Sequence, residues 1–157
     1  MKPRRLLALA LMGAALLAAC KKEPNRWEQA ATQTLPGAAA PKMEGKQLNA
    51  FFPADGTDGM SRVFTQEKDG FVEAKFKKEG QEATVSISDA NGDDGVKSKF
   101  ATATDKVNGQ PLVTVGKNQS AVLVHDRYQI KVSSQSLDEA ARKSLLGKFD
   151  IDGLNKL

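Results

Sequence analysis

From Val72 to Ser88 the chain alternates one apolar side chain with one polar side chain, interrupted once by Glu79-Gly80. Val72, Ala74 and Phe76 alternate with Glu73, Lys75 and Lys77, and Ala83, Val85 and Ile87 alternate with Thr84, Ser86 and Ser88. A helix would spread these residues around its circumference, whereas a strand sends them to opposite faces. Period two around a glycine turn therefore specifies a β-hairpin with one dry and one wet face. A sheet of that kind needs cover on one side, and the rest of the sequence must supply it. Arg62 to Gln66 adds a strand before the hairpin. Leu112 to Val115, Ser120 to Val124 and Tyr128 to Val132 read as three more, separated by Gly116-Lys117-Asn118 and His125-Asp126.

Two segments carry helical spacing instead. Val96, Phe100, Ala103 and Val107 form one stripe between an Asp93-Asp94 start and an Asn108-Gly109 stop, which predicts a helix across that interval. Ser136-Leu137-Asp138-Glu139 has the form of a capping box with Ser136 as N-cap; Leu137, Ala141 and Leu145 then share a face, and Gly147 ends the run. Phe149, Ile151 and Leu154 dock the tail on the same core. The expected fold is α+β: an antiparallel sheet of about five or six strands with two helices packed on one face, in the order β-β(-β)-α-β-β-β-α.

The N-terminus has a different character. Lys2, Arg4 and Arg5 precede an apolar stretch from Leu6 to Ala19, shorter than the roughly 20 residues a bilayer-spanning helix needs, which reads as a signal peptide. It ends Leu17-Ala18-Ala19-Cys20. This resembles the lipobox of bacterial lipoproteins: a branched apolar residue, two small residues and the cysteine that becomes the new N-terminus. The resemblance implies cleavage before Cys20, a diacylglyceryl thioether on its sulfur, and acylation of the freed amine. Cys20 is the only cysteine in the chain, so it cannot form an intramolecular disulfide, and lipidation gives an exported protein's lone thiol a purpose. Each buried methylene contributes about 0.8 kcal/mol, so two or three acyl chains hold essentially permanently. Lys21 follows where an aspartate favours inner-membrane retention, which implies the periplasmic face of an outer membrane in a two-membrane cell.

Three parts follow: a signal peptide over 1–19, a lipidated cysteine and flexible tether over 20–47, and one globular domain over 48–157. Pro24, Pro36, Pro41 and Gly37-Ala38-Ala39-Ala40 mark the tether, which as a coil spans about 30 Å root-mean-square. Trp27, beside Lys21, Lys22 and Arg26, is an aromatic of that arm within reach of a headgroup interface. The formal charge of +4 is largely the export signal, since losing Lys2, Arg4 and Arg5 leaves 20 basic residues against 19 acidic ones. A near-neutral domain in which Glu73, Glu79 and Glu82 stand among Lys75, Lys77 and Lys78 has no nucleic-acid footprint.

Candidate chemistry is sparse. The single histidine, His125, falls at a hairpin turn, and Cys20 is spoken for, so neither a Cys–His pair nor a histidine-rich zinc site can be assembled. Asp89, Asn91 and Asp93 occupy positions one, three and five of a loop that resembles the opening of an EF-hand, but Asp94 stands where glycine makes the turn and Phe100 where a bidentate glutamate belongs. The same residues serve a turn and an N-cap. Asp55-Gly56-Thr57-Asp58-Gly59 is a second acidic turn. There is no phosphate loop or dinucleotide fingerprint, and no cofactor is expected. Phe51, Phe52 and Pro53 read as the first plug of the core rather than a docking patch. The function expected from the sequence is a membrane-anchored, non-enzymatic binding module acting on an envelope protein or glycan. The alternatives are a periplasmic hydrolase using carboxylates and an assembly accessory of an envelope complex.

Overall fold

The computed structural model describes residues 41–157. They form an antiparallel sheet of seven strands with four short helices. The strands are β1 (Ser61–Lys68), β2 (Phe71–Lys78), β3 (Gln81–Asp89), β4 (Asp105–Val107), β5 (Gln110–Val115), β6 (Gln119–Val124) and β7 (Tyr128–Ser133); the helices are α1 (Gly45–Leu48), α2 (Asp94–Ser98), α3 (Glu139–Leu146) and α4 (Ile151–Leu154). None of these helices is long and apolar enough to cross a membrane.

Across the sheet the order is β1-β2-β3-β7-β6-β5-β4. The first three strands are one meander and the last four another, joined where β3 pairs with β7 from Thr84↔Ser133 to Asp89↔Tyr128. The alternating hairpin lies where the sequence places it, with Val72 opposite Ile87 and Ala74 opposite Val85. Val72, Val85, Ile87, Val122, Val124, Ile130 and Val132 are fully buried, each contributing about 1.5–3 kcal/mol over an exposed side chain. Leu48, Leu137, Leu145, Leu146, Phe149, Ile151 and Leu154 cover this first face from α1, α3, α4 and the segments flanking α3. Phe52 joins them as a core residue, its ring 5.3 Å from Phe64 and 5.2 Å from Phe149.

The expected five or six strands and two helices are exceeded: α1 and α4 are additional short helices, and a seventh strand stands where a helix was expected to continue. The helix expected from Val96 to Val107 stops at Ser98, and Asp105–Val107 turns through Asn108-Gly109 to pair with β5. Asn108 (φ 47°) and Gly109 (φ 79°) both take left-handed conformations. Asn-Gly in that geometry makes a tight hairpin whose twist matches its strands, and this outweighs an apolar stripe of four residues. Val107 is buried from a strand. Asp93 caps α2 as expected, its Oδ1 accepting Val96 N–H at 3.0 Å.

The helices also do not all lie on one face. Phe100, just beyond α2, packs with Ala121 and Leu123, whose neighbours in β6, Val122 and Val124, point into the main core. The crossover from β3 to β4 thus lays α2 on the second face and builds a satellite core there. A sheet with half-apolar β5 and β6 backs needs that cover; β2 and β3, whose backs are polar, do not.

The capping of α3 is likewise shifted. Asp138, not Ser136, is the N-cap, its Oδ1 accepting Ala141 N–H at 2.8 Å. Ser136 Oγ instead accepts the Glu82 N–H at 2.9 Å at the start of β3. Either residue suits a cap, and the pull of the strand end decides between them. Arg142 on this helix is buried, with Nε donating to Ser120 Oγ at 3.1 Å and Nη1 to the Leu137 carbonyl at 2.7 Å.

Backbone contacts with the sheet begin before the expected domain start at 48. Gly70 N–H donates to Met43 O at 2.6 Å, Met43 N–H donates to Asp89 Oδ2 at 3.0 Å, and Arg127 Nη2 donates to Pro41 O at 3.1 Å. A Cβ on Gly45 would stand 2.6 Å from Lys68 O, so glycine permits this approach. Pro and Gly here look like linker residues but seat a strap.

The β6–β7 turn places His125 (φ 53°) and Asp126 (φ 49°) in left-handed conformations that Asn and Gly favour. Replacing the pair, His125→Asn with Asp126→Gly, is expected to stabilise the domain by about 1 kcal/mol; urea denaturation that shows no gain would contradict this account of the turn.

Candidate functional site

The second face of the sheet carries its polar side chains, of which Ser86 is buried. Its strands contribute Lys75 and Lys77 from β2, Glu82, Thr84, Ser86 and Ser88 from β3, and Gln129, Lys131 and Ser133 from β7, the residues between the core-facing ones in each register. Three hollows open on it. One, of about 500 Å³, is polar and lies at the strand ends beside Glu82, Thr84, Ser133, Ser134 and Ser136. A second, of about 330 Å³, lies between Lys42, Lys68, Ser88, Asp93 and Val96. The third, of about 360 Å³, lies against β5 and β6 beside the satellite core, with Val113, Val115 and Ala121 among its lining residues.

In the first hollow the Ser134 and Ser136 hydroxyls are already engaged. Ser134 Oγ donates to Glu82 O at 2.6 Å and accepts Leu137 N–H at 3.0 Å. Glu82 pairs with Lys75 at 3.3 Å and Lys77 at 3.0 Å. The Lys77 and Lys75 hydrogen bonds hold its carboxyl below the usual glutamate range. These contacts tie β2, β3 and the segment before α3 together.

Asp89 borders the second hollow and is the one buried acid among the described residues. Its Oδ1 accepts Asn91 N–H at 3.0 Å and Arg127 Nε at 3.0 Å, and its Oδ2 accepts Met43 N–H at 3.0 Å and Arg127 Nη2 at 2.7 Å. Burial pushes this carboxyl up, but the Arg127 hydrogen bonds, the two backbone N–H donors and the Arg127 charge together outweigh it, and it titrates below the usual aspartate range. In the loop whose Asp89, Asn91 and Asp93 resemble the opening of an EF-hand, Asp89 is given to a guanidinium and the strap, and Asp93 caps α2. Among the described residues no group of three acidic, histidine or cysteine side chains is gathered for a metal.

The second acidic turn is similarly employed: Asp55 Oδ1 accepts Arg62 N–H at 2.7 Å, and Asp58 lies 3.4 Å from Lys148 Nζ. His125 is exposed at its turn. Leu17, Ala18, Ala19 and Cys20, with Trp27, lie outside the described residues. Sequence reasoning did not single out the groove between α2, β5, β6 and β7. Its lining residues come from four separate segments, and no local spacing announces them. Val115 is 58% exposed at the end of β5.

Comparison with protein-family models, with curated proteins and with solved structures finds no match for the chain. Its reading rests on its own residues.

Asp89→Asn removes one partner of a buried pair and is expected to cost about 3 kcal/mol, the low end for such a change because Arg127 stays partly exposed. The sign with pH follows from the lowered folded value: the Asp89 contribution is complete above the unfolded pKa of about 4 and is lost as pH falls through the folded one. The stability gap between native and variant should narrow in acid; a gap that stays constant from neutral pH to pH ~2 would refute the linkage. Tyr128 is fully buried, and its hydroxyl has no hydrogen-bond partner among the described residues. Burial raises its pKa. Tyr128→Phe should be neutral or stabilise by up to ~1 kcal/mol, since an unsatisfied polar group is removed; thermal melts at neutral pH decide it.

Proposed function

We propose that this chain is a lipid-anchored envelope protein that carries a non-enzymatic α+β binding domain. The observation that carries the anchoring is Leu17-Ala18-Ala19-Cys20 after a basic start and a short apolar stretch, with Cys20 the lone cysteine. In this reading the lipid lies in the periplasmic face of an outer membrane, and the segment to about residue 40 spaces the domain from it. The partner is an envelope component, a protein, glycan or small ligand, met at the second face of the sheet.

Binding rather than turnover is favoured by what the ionic groups already do. The buried acid is saturated by Arg127 and two backbone donors, and the buried base, Arg142, holds Ser120 to Leu137. Such groups fix strands and loops. A glycoside hydrolase of the two-carboxylate kind would hold two acids facing one another across a cleft, whereas Asp89 faces a guanidinium.

Mass spectrometry of the mature N-terminal peptide from membrane fractions tests the anchor. The expected result is a peptide starting at Cys20 with a diacylglyceryl and an acyl group added, and a Cys20→Ser chain that no longer fractionates with membranes. A free Cys20 thiol in the mature protein would retire the proposal. In-cell crosslinking against a control lipoprotein tests the binding role, with enrichment of a partner expected.

A further inference from the structure

We infer that the groove beside α2 on the second face is a binding site for a small anionic ligand with an apolar body, of the carboxylate-with-hydrocarbon kind. Its apolar part is made by Val113, Val115 and Ala121, and its polar lining includes Lys99, Gln129 and Lys131 beside the β6 start at Gln119 and Ser120. The volume of about 360 Å³ lies within the range of small-molecule pockets, which are characteristically apolar with a few placed polar groups. Ala121 is buried and Val113 half-buried in the satellite core, while Val115 is left 58% exposed. The apolar surface thus runs continuously from the core out to the β5–β6 hairpin.

Charge selects the ligand's sign. Lys99 and Lys131 are both exposed, one just beyond α2 and the other on β7, and neither has a carboxylate within ion-pair distance among the described residues. The nearby lysines of β2 differ, since Lys75 and Lys77 are both paired with Glu82. Two uncompensated ammonium groups bordering an apolar floor attract a single anionic head and repel a cationic one. Gln129 adds an amide that can donate to the same head. The groove sits where α2 ends, so the crossover that covers the satellite core also makes its wall.

This deepens the binding reading by naming a ligand class, and it does not depend on lipidation. The test uses the mature chain, residues 20–157, carrying Cys20→Ser so that no lipid is attached, labelled for amide chemical-shift measurement. Octanoate is the probe, with octylammonium and octanol as charge controls. Saturable shifts confined to residue 99 and to residues 113–121 and 129–131, with octylammonium at least tenfold weaker, are expected. Lys99→Glu with Lys131→Glu should weaken octanoate roughly tenfold or more while leaving the rest of the spectrum unchanged, and Val115→Glu should act in the same direction through a single exposed position. The inference is overturned by shifts spread evenly over the sheet, by equal binding of octylammonium, or by charge-reversed variants that bind octanoate as the parent does. A modified Cys20 together with no octanoate binding would sink the groove and leave the anchor standing; the opposite pair of results would do the reverse.

Discussion

The pairing of β3 with β7 is the contact on which the rest of the domain depends. It joins residues about forty-five apart in sequence, and without it the chain is two meanders with separate edges. Each end of the seam is locked by polar groups. At one end Asp89 of β3 holds Arg127 next to Tyr128, and at the other Ser134 and Ser136, just past β7, bond both backbone groups of Glu82. Closing a loop of that length is entropically costly, and a charged clamp at one end with a hydroxyl clamp at the other fixes the register as well as the contact. A slip by one residue would turn Val85 and Ile87 to the wet face.

The same seam organises the two faces. With register fixed, the first face is a continuous apolar surface from β2 to β6 that α1, α3 and α4 cover. The second face is polar over β2, β3 and β7 and apolar over β5 and β6, where Phe100 and Val96 lie. Edge strands are protected without extra cover: β4 has three residues, and β1 carries a bulge at Thr65 and ends in Glu67-Lys68. Short, bulged and charged edges are poor templates for another chain.

The strap at 41–44 has a mechanical meaning for any protein held from its N-terminus. Asp89 receives Met43 N–H, and Met43 O receives Gly70 N–H. Tension on the preceding segment would meet these bonds and the Asp89–Arg127 pair before it reached the core. The ion pair thus serves the seam and the point where the chain enters the domain.

Elements with local periodicity were legible in the sequence. The hairpin over 71–89, the three later strands, the Asp93 cap and the burial of Phe149, Ile151 and Leu154 all follow from alternation, turn residues or spacing that neighbouring residues alone enforce. Competing local signals were not resolved there. Asn108-Gly109 reads both as a helix stop and as a hairpin turn, and Ser136 and Asp138 are both competent caps. Which reading wins depends on a strand waiting at β5 in one case and at β3 in the other. The groove was invisible for the same reason, since Lys99, Val113, Ala121 and Lys131 meet only after two crossings of the sheet. By itself, then, the sequence determined the secondary structure wherever adjacent residues agree, and it supplied the whole case for the proposed lipid on Cys20, because a motif of that kind is written in contiguous residues. Tertiary structure alone decided the employment of Asp89, the split of the helices between two faces and the groove beside α2, because each is a contact between segments whose separation along the chain hides it.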